Sequence, residues 1–223
     1  MHFARRRADG VRSRTVEVSP DASKRDALER DVRARVEAGD IDGASSLAIR
    51  AYGGELIGFL QAIARDEALA ADAFAIASQQ LWSHLARFRW EATLRTWFYQ
   101  LGRNVLYQLR RDPRRRPDRN LPLSILTSIA DIQRQPTAPY QKTESKNALR
   151  ALRESLDPED HELLILRLDR GMSWKDIARA TADEDERASS LDARAAALRK
   201  RYERLKQQLR ERMVECGLLD DDT

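Results

Sequence analysis

Between Leu94 and Leu109 an apolar residue returns every three or four positions, as Leu94, Phe98, Leu101, Val105 and Leu109. At 100° per residue these side chains share one face, so the segment reads as an α-helix that packs this face on a core. The opposite face collects Thr96, Gln100, Arg103, Asn104, Tyr107 and Arg111, and Arg87, Phe88, Arg89, Trp90 and Arg95 lead into it. Cations for phosphates interleaved with flat rings for unstacked bases suit an exposed stripe that binds a single-stranded nucleic acid. From Arg87 to Arg119 ten arginines stand against three acids, a local balance of +7, whereas all 223 residues carry only +4. Clustered charge and a pI near 9.4 suggest a polyanionic partner. A basic, solvated helix over an ordinary core is the plainer alternative.

Composition narrows the class. With 42% hydrophobic residues, 34% charged residues and nine glycines, the chain reads as all-α, and its length accommodates two small domains. Cys216 is the single cysteine, which excludes an internal disulfide and a cysteine-rich zinc site and fits a reducing cytoplasm. No apolar run approaches the ~20 residues that span a bilayer, and Met1–Arg14 lacks a signal-peptide core. His2, His84 and His161 are scattered, and neither a phosphate-cradling glycine loop nor a nucleophile–base arrangement is present. The expectation is a non-enzyme without cofactor or metal.

In chain order, residues 1–20 read as a disordered basic arm and residues 21–111 as a first helical domain. Its first helix starts near Pro20 and stops at Gly39. The next is expected to bend or break at Gly53-Gly54, Asp66–Leu69 is expected to be a connection, and a third helix should run from about Ala70 to Leu85. Trp97 is expected in the core. Residues 112–146 contain five prolines and Arg114-Arg115-Arg116, which favours an extended linker. Residues 147–215 read as a second domain, followed by an acidic tail over 216–223.

In the second domain a helix over Lys146–Leu156 precedes Asp157-Pro158-Glu159-Asp160, where an N-cap, an N1 proline and first-turn acids predict a helix through Leu168. Gly171 ends it. Ser173 and Asp176 form a capping box, Met172 and Ile177 a hydrophobic staple, and a helix follows from Trp174. The last helix, from Ser189 or Ser190 past Met213, buries Leu191, Ala195, Leu198, Tyr202, Leu205, Leu209 and Met213. Its other stripe holds Ala197, Lys200, Arg201, Arg204 and Gln208, a pattern suited to a major groove. Helix, glycine turn, helix is the opening of a helix-turn-helix unit. A salt-bridged solvated helix or a coiled-coil arm would use the same leucines.

The run Arg-Phe-Arg-x-Glu-Ala-x-x-Arg-Thr-Trp-x-Tyr-x-x-x-Arg-Asn over residues 87–104 closely resembles the second conserved region of bacterial sigma factors, especially the short extracytoplasmic-function group. Gly39-Asp40, Arg50-x-Tyr52, Ala71-Asp72 and Trp82 extend the likeness back to about Leu28, and Leu198–Arg212 is similar to the promoter-reading helix of the fourth region. The resemblance implies a subunit that directs core RNA polymerase to promoter DNA, with an anti-sigma factor as a further partner it admits. It assigns melted minus-ten DNA to Arg87, Phe88, Arg89, Trp90, Arg95, Thr96, Gln100, Arg103, Asn104, Tyr107 and Arg111. To the minus-thirty-five duplex it assigns Ser173, Lys175, Ala197, Arg199, Lys200, Arg201, Arg204 and Gln208, and to the polymerase clamp Asp72, Ala75, Ile76 and Gln79. Two departures stand out. The usual Gln-Glu pair after Asp72 is absent, and about ten extra residues, including the acidic Asp183–Glu186, precede the last helix. A helix-turn-helix regulator or degenerate relative that does not program polymerase is the second reading.

Overall fold

The computed structural model describes residues 20–112, 114, 121–134, 151–182 and 190–217, and all regular structure among them is helical. The basic arm, most of the Arg/Pro run, the acidic insertion and the extreme tail lie outside the described residues. Short-range signals set most of the helix ends. Helix α1 (Pro20–Glu37) closes at Gly39, whose φ of +81° is open to glycine without strain. Helix α2 (Ile41–Ala64) opens at Asp40, whose carboxylate accepts from the Gly43 amide at 2.9 Å. Helix α3 (Glu67–His84) is capped by Asp66, which accepts from the Leu69 amide at 3.0 Å. Asp66–Leu69 is therefore a helix start rather than the expected connection, because the Asp66 side chain satisfies an amide that would otherwise be orphaned.

Helix α4 (Leu94–Arg111) begins where the periodicity places it, capped by the Thr93 hydroxyl at 3.1 Å from the Thr96 amide. A second cap comes from α1. The Glu29 carboxylate accepts from the Leu94 and Arg95 amides at 2.8 and 3.2 Å and from the Tyr52 hydroxyl at 3.1 Å, so an anion sits on the positive helix end. Phe59, Phe74, Phe98 and Tyr99 fill the core, with Phe59 tilted against Tyr99 and Phe74 against Phe98.

Helix α2 is not broken at its glycine pair, Gly53-Gly54, and the span read as an extended linker is partly helical. The stretch expected to be an extended linker contains helix α5 (Leu123–Arg134), which lays Ile125, Ile129 and Ile132 on α2. A Cβ on Gly53 would stand 3.0 Å from Ile132 Cγ1 and 3.0 Å from Phe74 Cζ. Gly53 serves close approach of α3 and α5, whose side chains pack where a larger residue would stand. Pro122 flanks α5, where a proline is tolerated, so prolines divide the span without denying it a helix.

Residues 151–154 are helical, and the rest of the helix expected over Lys146–Leu156 falls mostly outside the described residues. Helix α6 (Pro158–Leu164) passes into one π turn over Ile165–Asp169, closed by the Arg170 amide donating to the Ile165 carbonyl at 3.0 Å. The helical run thus reaches Leu168 as expected, with its last turn π rather than α, and the side chain of Asp157 makes no capping bond. Gly171, at φ +61°, turns the chain into α7 (Trp174–Ala180), where Ser173 caps the Asp176 amide at 3.2 Å and Met172 and Ile177 are buried as a staple. Helix α8 (Leu191–Glu215) buries Ala195, Tyr202 and Leu205 from the expected stripe. The apolar side chains of α6–α8 are continuous with the core of α1–α5, and α7 lies directly on α4.

Candidate nucleic-acid interface

The basic corner forms where α3 ends. A 3-10 turn over Leu85–Arg87 and an extended stretch lead to the Thr93 cap. Trp90 takes φ +57°, a left-handed conformation unfavourable to a bulky side chain. What holds it is its surroundings. The Phe88 and Trp90 centroids lie 5.0 Å apart, Phe88 stacks on Trp97 at 4.5 Å and 14°, and the Arg33 guanidinium covers Trp90 at 5.6 Å. Backbone strain kept in place by packing is a mark of functional loops.

Arg87 and Arg89 are exposed beside these rings, while Phe88 and Trp90 are half-buried. Trp97, expected in the core, is also half-buried and lines a groove with Phe88, Gln100, Arg179 and Arg194. Periodicity carries the signal for it, since Trp97 lies three and seven residues before Gln100 and Asn104 and so shares their stripe. Arg179 and Arg194 join the groove from α7 and α8, which no local pattern records.

The stripe itself is not exposed as expected. Thr96 is 2% and Arg103 9% exposed, because the second group of helices covers them. The Thr96 hydroxyl donates to Asp176 Oδ1 at 3.1 Å. Arg103 Nε donates to Glu162 Oε1 at 2.8 Å, and the Tyr107 hydroxyl donates to Glu162 Oε2 at 3.3 Å. Gln100, Asn104 and Tyr107 are half-buried and Arg111 is exposed. Arg95 is withdrawn altogether: its Nε donates to Glu55 Oε2 at 3.0 Å, its Nη2 to the Arg170 carbonyl at 3.1 Å, and its guanidinium lies 5.4 Å from the Tyr99 ring centre. It is a structural residue here, since its ion pair, ring and carbonyl use its charge and donors inside the fold.

Burial sets the titration of this interface. Desolvation pushes the Glu162 carboxyl above the usual carboxylate range, against the pull of Arg103. Desolvation and the nearby Arg65 and Arg153 hold His161 below its ordinary 6.5. A histidine with a depressed folded-state pKa stabilises the fold fully above its unfolded value and loses that contribution as pH falls through the folded one. Stability should therefore drop between pH 7.5 and 5.5 through His161, while Glu162 works in the opposite direction. Thermal denaturation of wild type and His161→Gln at both values isolates the histidine, and the variant should show a smaller loss on acidification.

The remaining assigned residues divide by surroundings. Ser173 is committed to the α7 cap, Lys175 pairs with Asp192 at 2.8 Å, and Arg201 binds Asp160 at 2.5 Å and also pairs with Glu159. Ala197, Arg199, Lys200, Arg204 and Gln208 are exposed on α8. Asp72, Ala75 and Gln79 are half-buried on α3, but Ile76 is 3% exposed and serves the core rather than a docking surface, because its place on the helix faces inward. Among the described residues no three metal-ligating side chains come together, and no helix is long and apolar enough to cross a membrane.

Residues 48–116 match the family model for sigma-70 region 2, a span that includes α3, the aromatic corner and α4. No curated protein and no solved structure matches the chain.

Proposed function

We propose, from the match of residues 48–116 to sigma-70 region 2, that this chain is a member of the sigma-70 family, a non-catalytic subunit directing core RNA polymerase to promoters. The match over residues 48–116 carries the reading, since it contains the strained aromatic corner with Arg87 and Arg89 beside it. In this reading the corner and the outer stripe of α4 capture the melted non-template strand of the minus-ten element. Capture needs no covalent chemistry. It needs unstacked bases and phosphates to bind rings and cations better than they bind in the duplex. Exposed Arg199, Lys200 and Arg204 on α8 are suited to the minus-thirty-five duplex. Asp72 on α3 is the residue for the polymerase clamp.

The test is a titration of the purified chain with core polymerase, followed by promoter-dependent run-off transcription. Binding and a defined transcript are expected, with Asp72→Arg weakening assembly by charge reversal. A chain that ignores core polymerase would favour the second reading, a DNA-binding relative that does not program it, to which buried Ile76 and ion-paired Arg201 lend support.

The corner also makes a graded prediction. Phe88→Ala and Trp97→Ala should each weaken binding of single-stranded minus-ten DNA by about 1–3 kcal/mol per lost base stack, measured by fluorescence anisotropy. Unchanged affinity in both would assign these rings to packing alone.

A further inference from the structure

Helix α1 carries none of the residues assigned to DNA, yet it holds the aromatic corner in place. Glu29, half-buried on α1, accepts from the Leu94 and Arg95 amides at 2.8 and 3.2 Å and from the Tyr52 hydroxyl at 3.1 Å. Those amides open α4, and Trp97, whose ring stacks on Phe88, is the fourth residue of that helix. The carboxylate therefore fixes the turn on which Trp97 stands. Arg33 lies one turn further along the same face of α1, with its guanidinium 5.6 Å from the centre of the Trp90 ring. Its Nε donates to Glu37 Oε1 at 3.0 Å, so its charge is already partnered on its own helix. Trp90 keeps a left-handed φ of +57° that relaxes unless its surroundings hold it, and Arg33 and Phe88 are those surroundings. Electrostatics alone counts Glu29 against a polyanion, since an acid at the root of α4 repels phosphates.

We propose that Glu29 and Arg33 are positioning residues for strand capture: Glu29 sets the first turn of α4 and with it Trp97, and Arg33 holds Trp90 beside Phe88, so that the rings stand preformed for unstacked bases. The proposal rests on the strand-capture reading of the corner. Rings already in their binding arrangement need no ordering when the strand arrives, and that ordering would otherwise subtract from affinity. Two consequences separate positioning from direct contact. Removing the Glu29 acid should weaken binding although it lifts a repulsion. Removing Arg33 should weaken binding without flattening its salt dependence, because a cation that neutralised a phosphate would contribute about 0.7 to the slope of log affinity against log salt.

The experiment uses the full chain assembled with core polymerase, with core polymerase alone as the blank. Glu29→Ala, Glu29→Gln, Arg33→Ala and Arg33→Lys are each checked for folding by circular dichroism and thermal midpoint. Affinity for a fluorescein-labelled single-stranded minus-ten oligonucleotide is then read by anisotropy over a range of salt. Each alanine variant should bind roughly fivefold more weakly, the low end of what one base stack contributes, and keep the wild-type salt slope. Arg33→Lys should recover part of the loss, since an ammonium also attracts the ring. In a Trp90→Ala background, Arg33→Ala should have no further effect. Wild-type or tighter binding by Glu29→Ala overturns the role of Glu29; if that variant does not fold, Glu29→Gln, which keeps an acceptor oxygen, is read by the same criterion. Wild-type affinity in Arg33→Ala, a flattened slope, or an undiminished loss in the Trp90→Ala background overturns the role of Arg33. If wild type with core polymerase binds no strand, it is the strand-capture reading that fails, and the proposal with it.

Discussion

Arg103→Ala should lower the unfolding free energy by about 3–5 kcal/mol, because it strips the buried Glu162 of its ion-pair partner. Among the described residues only the Tyr107 hydroxyl, at 3.3 Å, would remain on that carboxylate. The loss has a ceiling. If the two halves separate, Glu162 regains water, so the penalty cannot exceed the free energy that holds them together. Replacing both partners, as Arg103→Leu with Glu162→Leu, should recover most of the stability, since a buried pair contributes little beyond an apolar pair of similar volume. Urea denaturation of the three variants against wild type makes the comparison. Equal losses in the single and double variants would mean that the packing around Arg103, rather than its charge, is what matters.

At the contact of α2, α3 and α5, Phe74→Ala should cost about 3–5 kcal/mol, as expected for a fully buried ring in a core that relaxes only in part. Gly53→Leu should cost about 1–3 kcal/mol, because its first side-chain atom already meets Phe74 and Ile132 at 3.0 Å. Nothing lies within 4 Å of a Cβ at Gly54, so Gly54→Ala should stabilise α2 by about 0.5–1 kcal/mol. Opposite signs at adjacent glycines, read from thermal midpoints, would confirm that Gly53 is a packing residue. Destabilisation at both positions would restore a role for the pair as a helix break.

The position of Gly53 shows why parts of the fold were not legible in the sequence. A glycine pair within a helical pattern is ambiguous between a bend and a close contact, and only the neighbours decide. Here those neighbours are Phe74 and Ile132, about twenty and eighty residues away in sequence. Helix α5 is masked in the sequence for a similar reason. Its isoleucines have helical spacing, but the surrounding prolines dominate a reading that considers the chain locally. By contrast, Thr93, Ser173 and the staple of Met172 with Ile177 act over a few residues, and each defines its helix end where spacing places it.

The sequence by itself determined the helical class, the start of α4, the core face of that helix and the concentration of cations and rings between Arg87 and Arg111. These follow from periodicity and capping, which are local physics. Which of those cations is available was decided only by tertiary structure. Arg95 is consumed by Glu55, Arg103 by Glu162, and Thr96 by Asp176, at separations of 40, 59 and 80 residues. Residue type specifies that an arginine will seek an anion. Whether that anion is a phosphate or a carboxylate of its own chain depends on which surfaces the fold brings together, and no repeat along the sequence encodes that distance.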